Sequence, residues 1–83
     1  MANKIRLIFA TTAGDLEDEF NVNRPLRAVK RSVMARVNLD PSQADQFVVT
    51  LEGNPLDENK SLKELGLVDG TVLTLERCDV VKI

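Results

Sequence analysis

The most limiting feature of this 83-residue chain is the set of residue types that it lacks or almost lacks. It has no histidine, the side chain that most often serves as a general base and as a metal ligand near neutral pH. Its single cysteine, Cys78, leaves no partner for an internal disulfide and no set of thiolates for a metal. We therefore predict that the chain is not an enzyme and has no catalytic residues, no metal site and no cofactor.

Aromatic residues are scarce too, since tryptophan and tyrosine are absent and there are three phenylalanines. The chain is 43% hydrophobic and 29% charged, which is typical of a globular domain. A single domain of this size has a marginal core, so valine, leucine and isoleucine must fill it. No apolar run is long enough for a signal peptide or a membrane span. These features predict a cytoplasmic protein that does not bind membranes.

The start of the chain predicts a β-hairpin, because its apolar residues alternate with a period of two. Gly14 supplies a turn, and residues 16–22 form the return strand. Asp18 falls on the inward register, and we expect it to lie where the hairpin extends past the end of the core. The inward residues of the first strand are Ile5, Leu7 and Phe9.

A helix is predicted next, with Asn23 as its N-cap and Pro25 in its first turn. Asn38 is expected to end it in a left-handed conformation, and Pro41 prevents its continuation. The buried stripe consists of Leu26, Val29, Val33 and Val37, with Met34 on its border. The remaining basic residues are Arg24, Arg27, Lys30, Arg31 and Arg36. We interpret this basic face as solvated and not as a nucleic-acid site, because the net charge is −2 and no aromatic residues interleave.

The second half of the chain predicts the rest of a sheet. A third strand alternates over Phe47–Leu51 and ends in a turn at residues 52–55. Residues 61–64 match a capping box that opens a short helix, and Gly66 ends it with a positive φ. The last strand is Thr71–Arg77. Its buried residues are predicted to be Leu73 and Leu75.

The order of these elements predicts an α+β fold. The first and last strands are both apolar, so we expect them to be central neighbours, which makes them parallel. The result is a β-grasp, a mixed four- to five-stranded sheet packed on one helix. We predict one domain at residues 1–77 and a tail at residues 78–83.

Two segments, DPSQ at residues 40–43 and GNPLDENKSLKELGLVDGTVLTLE at residues 53–76, carry a resemblance to ubiquitin. The chain is similar to ubiquitin-like proteins from Ile5 to about Arg77. Its overall character favours a bacterial ubiquitin-like protein that lacks the C-terminal di-glycine. The resemblance implies that the chain binds other proteins and performs no catalysis. It also implies a monomer.

Ubiquitin binds most of its partners through an apolar patch on the exposed sheet face. The resemblance places Thr12, Thr50, Thr74 and Glu76 at the matching positions, which offer little apolar area to an ordinary ubiquitin-binding helix. Among ubiquitin's main acceptor lysines, one matches Lys30, whereas Asn54 and Asp69 replace two others. The candidate partner-binding residues are Ile8, Thr12, Thr50, Gly53, Thr74, Glu76 and Arg77.

The tail separates two hypotheses. Conjugation in the ubiquitin family uses an unhindered C-terminal glycine, which lets enzymes approach its carbonyl closely. Here the possible conjugation tail is Cys78, Asp79, Val80, Val81, Lys82 and Ile83. We favour a non-catalytic protein-binding module. The alternative is a modifier that activating and conjugating enzymes attach through an atypical or processed C-terminus.

Overall fold

One α-helix lies across one face of a five-stranded sheet in the computed structural model, which describes residues 3–78. The elements are β1 (Lys4–Thr11), β2 (Gly14–Asn21), α1 (Leu26–Arg36), a 3₁₀ helix (Pro41–Gln46), β3 (Phe47–Leu51), β4 (Asn54–Pro55) and β5 (Thr71–Arg77). The strand order is β2-β1-β5-β3-β4. This is the predicted α+β architecture with five strands. Within residues 3–78, no helix has the length and apolar character that crossing a membrane requires.

The two central strands, β1 and β5, are parallel neighbours, as predicted. Leu7 lies opposite Thr71 and Phe9 lies opposite Leu73. The other neighbours of the central pair, β2 beside β1 and β3 beside β5, are antiparallel to it. Because the central strands are adjacent in space but distant in sequence, their pairing closes the whole domain.

The core lies between α1 and the sheet and is mainly aliphatic, with three phenylalanines, Phe9, Phe20 and Phe47. The rings of Phe9 and Phe20 meet edge to face, with centroids 5.8 Å apart. Met34 is fully buried and Val37 is half-buried, the reverse of the predicted ranking, because α1 ends at Arg36, before Val37. The largest fully buried side chains are Phe9, Leu7, Leu26, Met34, Leu62, Leu73, Leu75, Val29, Val33 and Val49.

The start of α1 corrects the prediction that Asn23 is its N-cap. The helix begins at Leu26, and Pro25 is an extended N-cap residue with no capping side chain. The Leu26 amide donates to the carbonyl oxygen of Lys60 at 2.9 Å. A loop of the fold therefore satisfies an amide that the sequence suggested a side chain would satisfy. The Asn23 amide itself donates to Oδ1 of Asn21.

The end of α1 follows the prediction, because Asn38 has a φ of 65°. A 3₁₀ helix follows at Pro41–Gln46, in the segment where Pro41 was expected only to stop α1. Asp40 is its N-cap and accepts a hydrogen bond from the Ser42 amide at 3.0 Å. The hydrogen bond from the Ser42 hydroxyl, and then that from its amide, lowers the pKa of the Asp40 carboxyl.

The predicted short helix at residues 61–66 is a turn. The capping box is present, since the Ser61 amide donates to Glu64 Oε1 at 2.9 Å and the Glu64 amide donates to Ser61 Oγ at 3.1 Å. Gly66 has a φ of 73°, as predicted. The left-handed glycine ends the segment after one turn, so the cap opens a turn that does not continue as a helix.

Asp18 lies over the core and not past its end, which corrects the prediction. It is opposite the fully buried Leu7 in the β1–β2 register. Its carboxylate forms an ion pair with Arg36, in the last turn of α1, and accepts the Glu19 amide at 2.7 Å. The basic end of α1 therefore balances an acid on the inward face of β2.

Lys30 was predicted to lie on the solvated face of α1, and that prediction is wrong. Only 4% of Lys30 is exposed. Its Nζ donates to Glu58 Oε1 at 2.6 Å and to the Phe47 carbonyl oxygen at 3.0 Å. Lys30 follows Leu26 and precedes Met34 by four residues each, so its neighbours along the helix are both buried. This lysine is therefore not an accessible acceptor for conjugation.

We predict that Leu73→Ala lowers the free energy of unfolding by about 2–4 kcal/mol, because it leaves a cavity in a fully packed core. Val72→Ala is the matched control on the same strand, since Val72 is 53% exposed. Its expected cost is below about 1 kcal/mol. Urea unfolding of both variants measures the difference, and equal costs would show that the β5 register is wrong.

The second stability prediction concerns the pair of Lys30 and Glu58. We expect Glu58→Ala to cost about 2 kcal/mol, less than for a fully buried pair, because the Glu58 side chain is 25% exposed. A Lys30→Met/Glu58→Leu double variant is expected to recover at least half of this loss, because no charge then stays buried. Thermal unfolding of the wild type, of Glu58→Ala and of the double variant measures the two losses in stability. A double variant less stable than Glu58→Ala would contradict this account.

Candidate partner-binding face

The sheet face that points away from α1 is here called the outer face. It is set by alternation, since Leu73 and Leu75 of β5 point into the core and the residues between them point out. By register, the outward positions of the four long strands are Lys4, Arg6, Ile8, Ala10, Asp15, Glu17, Glu19, Asn21, Val48, Thr50, Val72, Thr74 and Glu76.

Two grooves lie next to each other on the outer face. The first groove has a volume of about 290 Å³ and is lined by Val48, Thr50, Gly53, Pro55, Glu76 and Cys78. The second groove has a volume of about 330 Å³ and lies at the edge of the outer face where β1 ends. It is lined by the outward Ala10, Thr74 and Glu76 and by Thr11, Thr12, Leu75 and Arg77. Both linings are mostly apolar. Glu76 belongs to both grooves and separates them.

A hydrogen bond holds the Glu76 carboxylate in place. The Thr50 hydroxyl donates to Glu76 Oε2 at 3.1 Å. Thr50 was predicted as an exposed member of a binding patch, but it is only 6% exposed, so its role is to support Glu76 and not to offer contact area. Within residues 3–78, Glu76 forms no ion pair.

The turn at the rim of the first groove depends on Gly53. Glu52 and Gly53 join β3 to β4, and both have positive φ, 52° and 85°. A two-residue hairpin turn of this kind favours glycine, whose absent Cβ removes the steric cost. The position of Gly53 in the predicted site therefore has a structural cause as well as a place in the groove.

Two predicted site residues do not join the grooves as expected. Ile8 lines neither groove and lies opposite the exposed Val72, at the other end of the face. Arg77 lines the second groove, but its guanidinium lies over the Phe47 ring, 5.6 Å from the centroid, and donates to Gln46 Oε1 at 3.3 Å. Its charge is therefore directed toward the core side of the sheet. Strand alternation gives the same result, because Arg77 follows the inward Leu75 by two residues in β5.

The candidate site residues did not include four apolar residues that line the grooves, Ala10, Val48, Pro55 and Leu75. Strand alternation predicts that Ala10 and Val48 point outward, but neither residue is at a position that matches ubiquitin's apolar patch. Cys78 is exposed at the edge of the first groove. The rest of the predicted tail, residues 79–83, lies outside the described residues.

The two faces of the domain differ in charge. All four charged residues of α1 are basic: Arg27, Lys30, Arg31 and Arg36. The charged positions of the outer face are the acidic Asp15, Glu17, Glu19 and Glu76 and the basic Lys4 and Arg6. Arg6 reaches Glu17 at 3.6 Å and Glu19 at 3.7 Å. Residues 3–78 contain no cluster of histidine, cysteine and carboxylate side chains that could hold a metal ion.

Comparison with known proteins places this sheet-and-helix domain in a family. The model of the family DUF2604, described as a protein of unknown function, matches residues 1–77. The chain belongs to this family. A search of curated proteins gives no match. The DUF2604 chain does, however, resemble many solved structures.

The solved structures show that the fold is a ubiquitin-like β-grasp. A structure named Caldiarchaeum subterraneum ubiquitin is 27% identical, with a TM-score of 0.76, and the match covers 89% of this chain and 92% of that one. A protein designed from ubiquitin is 19% identical, with a TM-score of 0.77 and coverage of 93% and 92%. A structure titled as molecular mimicry of SUMO is 17% identical, with a TM-score of 0.82 and coverage of 90% and 92%. Proteins of this fold are typically non-catalytic.

Proposed function

We propose that this DUF2604 protein is a non-catalytic binding module that engages other proteins through its outer face. The observation that carries the proposal is the pair of mostly apolar grooves that meet at Glu76. Concave apolar surface with a few fixed polar groups is the composition that protein interfaces use at their centre. A cytoplasmic location and a bacterial origin stay predictions from the sequence.

The outer face suits this role better than the opposite side of the domain does. The apolar stripe of α1 is already buried against the sheet, and its exposed residues are mainly charged. On the outer face, Val48 and Ala10 are half-buried in grooves and Val72 is exposed. A partner can therefore remove apolar area from water there without disturbing the core.

The partner is expected to differ from an ordinary ubiquitin-binding helix. Of the three threonines at the positions that match ubiquitin's apolar patch, Thr50 is buried and Thr12 and Thr74 are polar side chains in the second groove. The broad aliphatic surface of an ordinary ubiquitin-binding helix would therefore find little apolar area to contact at these three positions. A segment with side chains narrow enough to enter the grooves fits this surface better.

The proposal is tested by affinity capture with the full chain and two single variants. Thr74→Arg fills the middle of the outer face, and Arg31→Glu is the control on the exposed side of α1. We expect wild type and Arg31→Glu to capture the same proteins, and Thr74→Arg to capture at least about tenfold less, because a blocked groove loses its buried contacts.

Unchanged thermal unfolding of both variants shows that the comparison reports on binding. Capture that persists with Thr74→Arg but disappears with Arg31→Glu would move the binding surface to α1 and refute the proposal.

A second candidate function is protein modification, and the similarity to the structure named Caldiarchaeum subterraneum ubiquitin along 89% of this chain favours it. Ubiquitin-type activating and conjugating enzymes would then be partners, acting on the segment that follows β5. The two functions differ in what they need from residues 79–83. A modifier requires them for transfer, whereas the grooves consist of residues up to Cys78.

We predict that deleting residues 79–83 leaves partner capture unchanged, because no described groove residue is removed. The same pair of chains is incubated with ATP and an activating enzyme, and intact-mass spectrometry is used to detect thioesters and covalent adducts. An ATP-dependent adduct of the full chain that the deletion abolishes would establish the modifier function instead.

A further inference from the structure

The geometry of the outer face points to the chemistry of its partner, which we infer to be a segment with an arginine or lysine between two aliphatic residues. The cationic group would pair with Glu76, and the aliphatic side chains would enter the grooves on either side. This inference rests on the proposed function, since it specifies what the outer face binds.

The first step is the state of the Glu76 carboxylate. On the same face, Glu17 and Glu19 of β2 share Arg6 as their cationic partner. Glu76 forms no ion pair with any residue from 3 to 78, although it lies where the two grooves meet. A half-buried carboxylate without a counter-charge gains most from an incoming cation.

The second step is the orientation of that carboxylate. Thr50 is only 6% exposed, and its hydroxyl donates to Glu76 Oε2 at 3.1 Å. The hydroxyl is thereby satisfied, and the carboxylate is held on the outer face before any partner arrives. A pre-organised acceptor reduces the entropy that a partner must lose to form its ion pair.

The third step is the shape on either side of Glu76. Val48 and Pro55 line the first groove, and Ala10 lines the second. The two grooves have volumes of about 290 and 330 Å³, which are large enough for aliphatic side chains and for the methylene stem of a lysine or arginine. Aliphatic neighbours of the cation would exclude water from its ion pair with Glu76.

The fourth step is the charge of the two faces. A cationic segment is disfavoured on the exposed side of α1, where Arg27, Arg31 and Arg36 are all basic and Arg36 is already paired with Asp18. It is attracted to the outer face, which has four acidic residues and two basic residues, as named above. An acidic segment would show the reverse preference.

The test uses the full chain, labelled with ¹⁵N, and two synthetic peptides with soluble flanks. One peptide has arginine between two leucines, and the other has glutamate in place of the arginine. We expect the arginine peptide to shift the amide resonances of Thr50, Gly53 and Glu76, and the glutamate peptide to leave them unchanged. Glu76→Gln should weaken the arginine peptide by about tenfold, the loss of one charge-assisted hydrogen-bonded pair.

Asp45→Asn is the matched control, because it makes the same change in net charge at an exposed residue of the 3₁₀ helix. It should leave the peptide affinity unchanged. Thr50→Val tests the positioning role of the hydroxyl. It should weaken the arginine peptide in the wild-type background but have no further effect in a Glu76→Gln background.

The outcomes separate this inference from the proposed function. Equal binding of both peptides, or an arginine peptide unaffected by Glu76→Gln, would overturn the inference and leave the outer face as the binding surface. Outer-face shifts that grow with protein concentration alone would overturn it in favour of a second copy of this chain. The absence of outer-face shifts at millimolar peptide would overturn it as well, whereas the capture experiment decides the proposed function by itself.

Discussion

The parallel pairing of β1 with β5 is the constraint on which the rest of the structure depends. It joins the two ends of the domain, with Leu7 opposite Thr71 and Phe9 opposite Leu73, and so encloses everything between them. Since side chains alternate along a strand, placing Leu73 against α1 forces Thr74 and Glu76 outward. The position of the candidate site is therefore a consequence of the core and needs no separate cause.

A second tie holds the helix to the other half of the sheet. The buried Lys30 ammonium donates to Glu58 and to the Phe47 carbonyl oxygen, which connects α1 with the loop after β4 and with β3. The same loop supplies the carbonyl oxygen of Lys60 to the first amide of α1. One loop thus performs both the capping and the charge pairing, which explains why α1 has no capping side chain.

The extent to which the sequence predicted this structure follows the range of the interactions involved. Alternation and helical periodicity predicted the buried faces around Phe9, Val33 and Leu75, because these patterns arise from local geometry and burial alone. The distant pairing of β1 with β5 was predicted because both strands are apolar. Predictions failed where a distant segment intervenes, as at the start of α1 and at Lys30, whose partners are more than fifteen residues away. The binding role of the candidate residues stays a prediction, but their positions can be compared with the grooves. Thr12, Gly53, Thr74 and Glu76 line the grooves, and strand alternation gives the direction of Arg77, but whether Thr50 is covered depends on neighbours that no local pattern reveals.

The hydrogen bond between Thr50 and Glu76 links stability to recognition. A buried hydroxyl is costly unless it has an acceptor, so the threonine at this outward position is acceptable because Glu76 is there. Conversely, Glu76 keeps a defined direction because the hydroxyl holds it. Residues that pack against α1 are confined by volume, whereas Val48, Thr74 and other outward positions need only suit a strand. Two ubiquitin-like domains can therefore share a core plan and present different outer faces. In this chain a supported carboxylate stands between the two grooves of that face, and the chemistry that satisfies a carboxylate decides which partners gain from docking there.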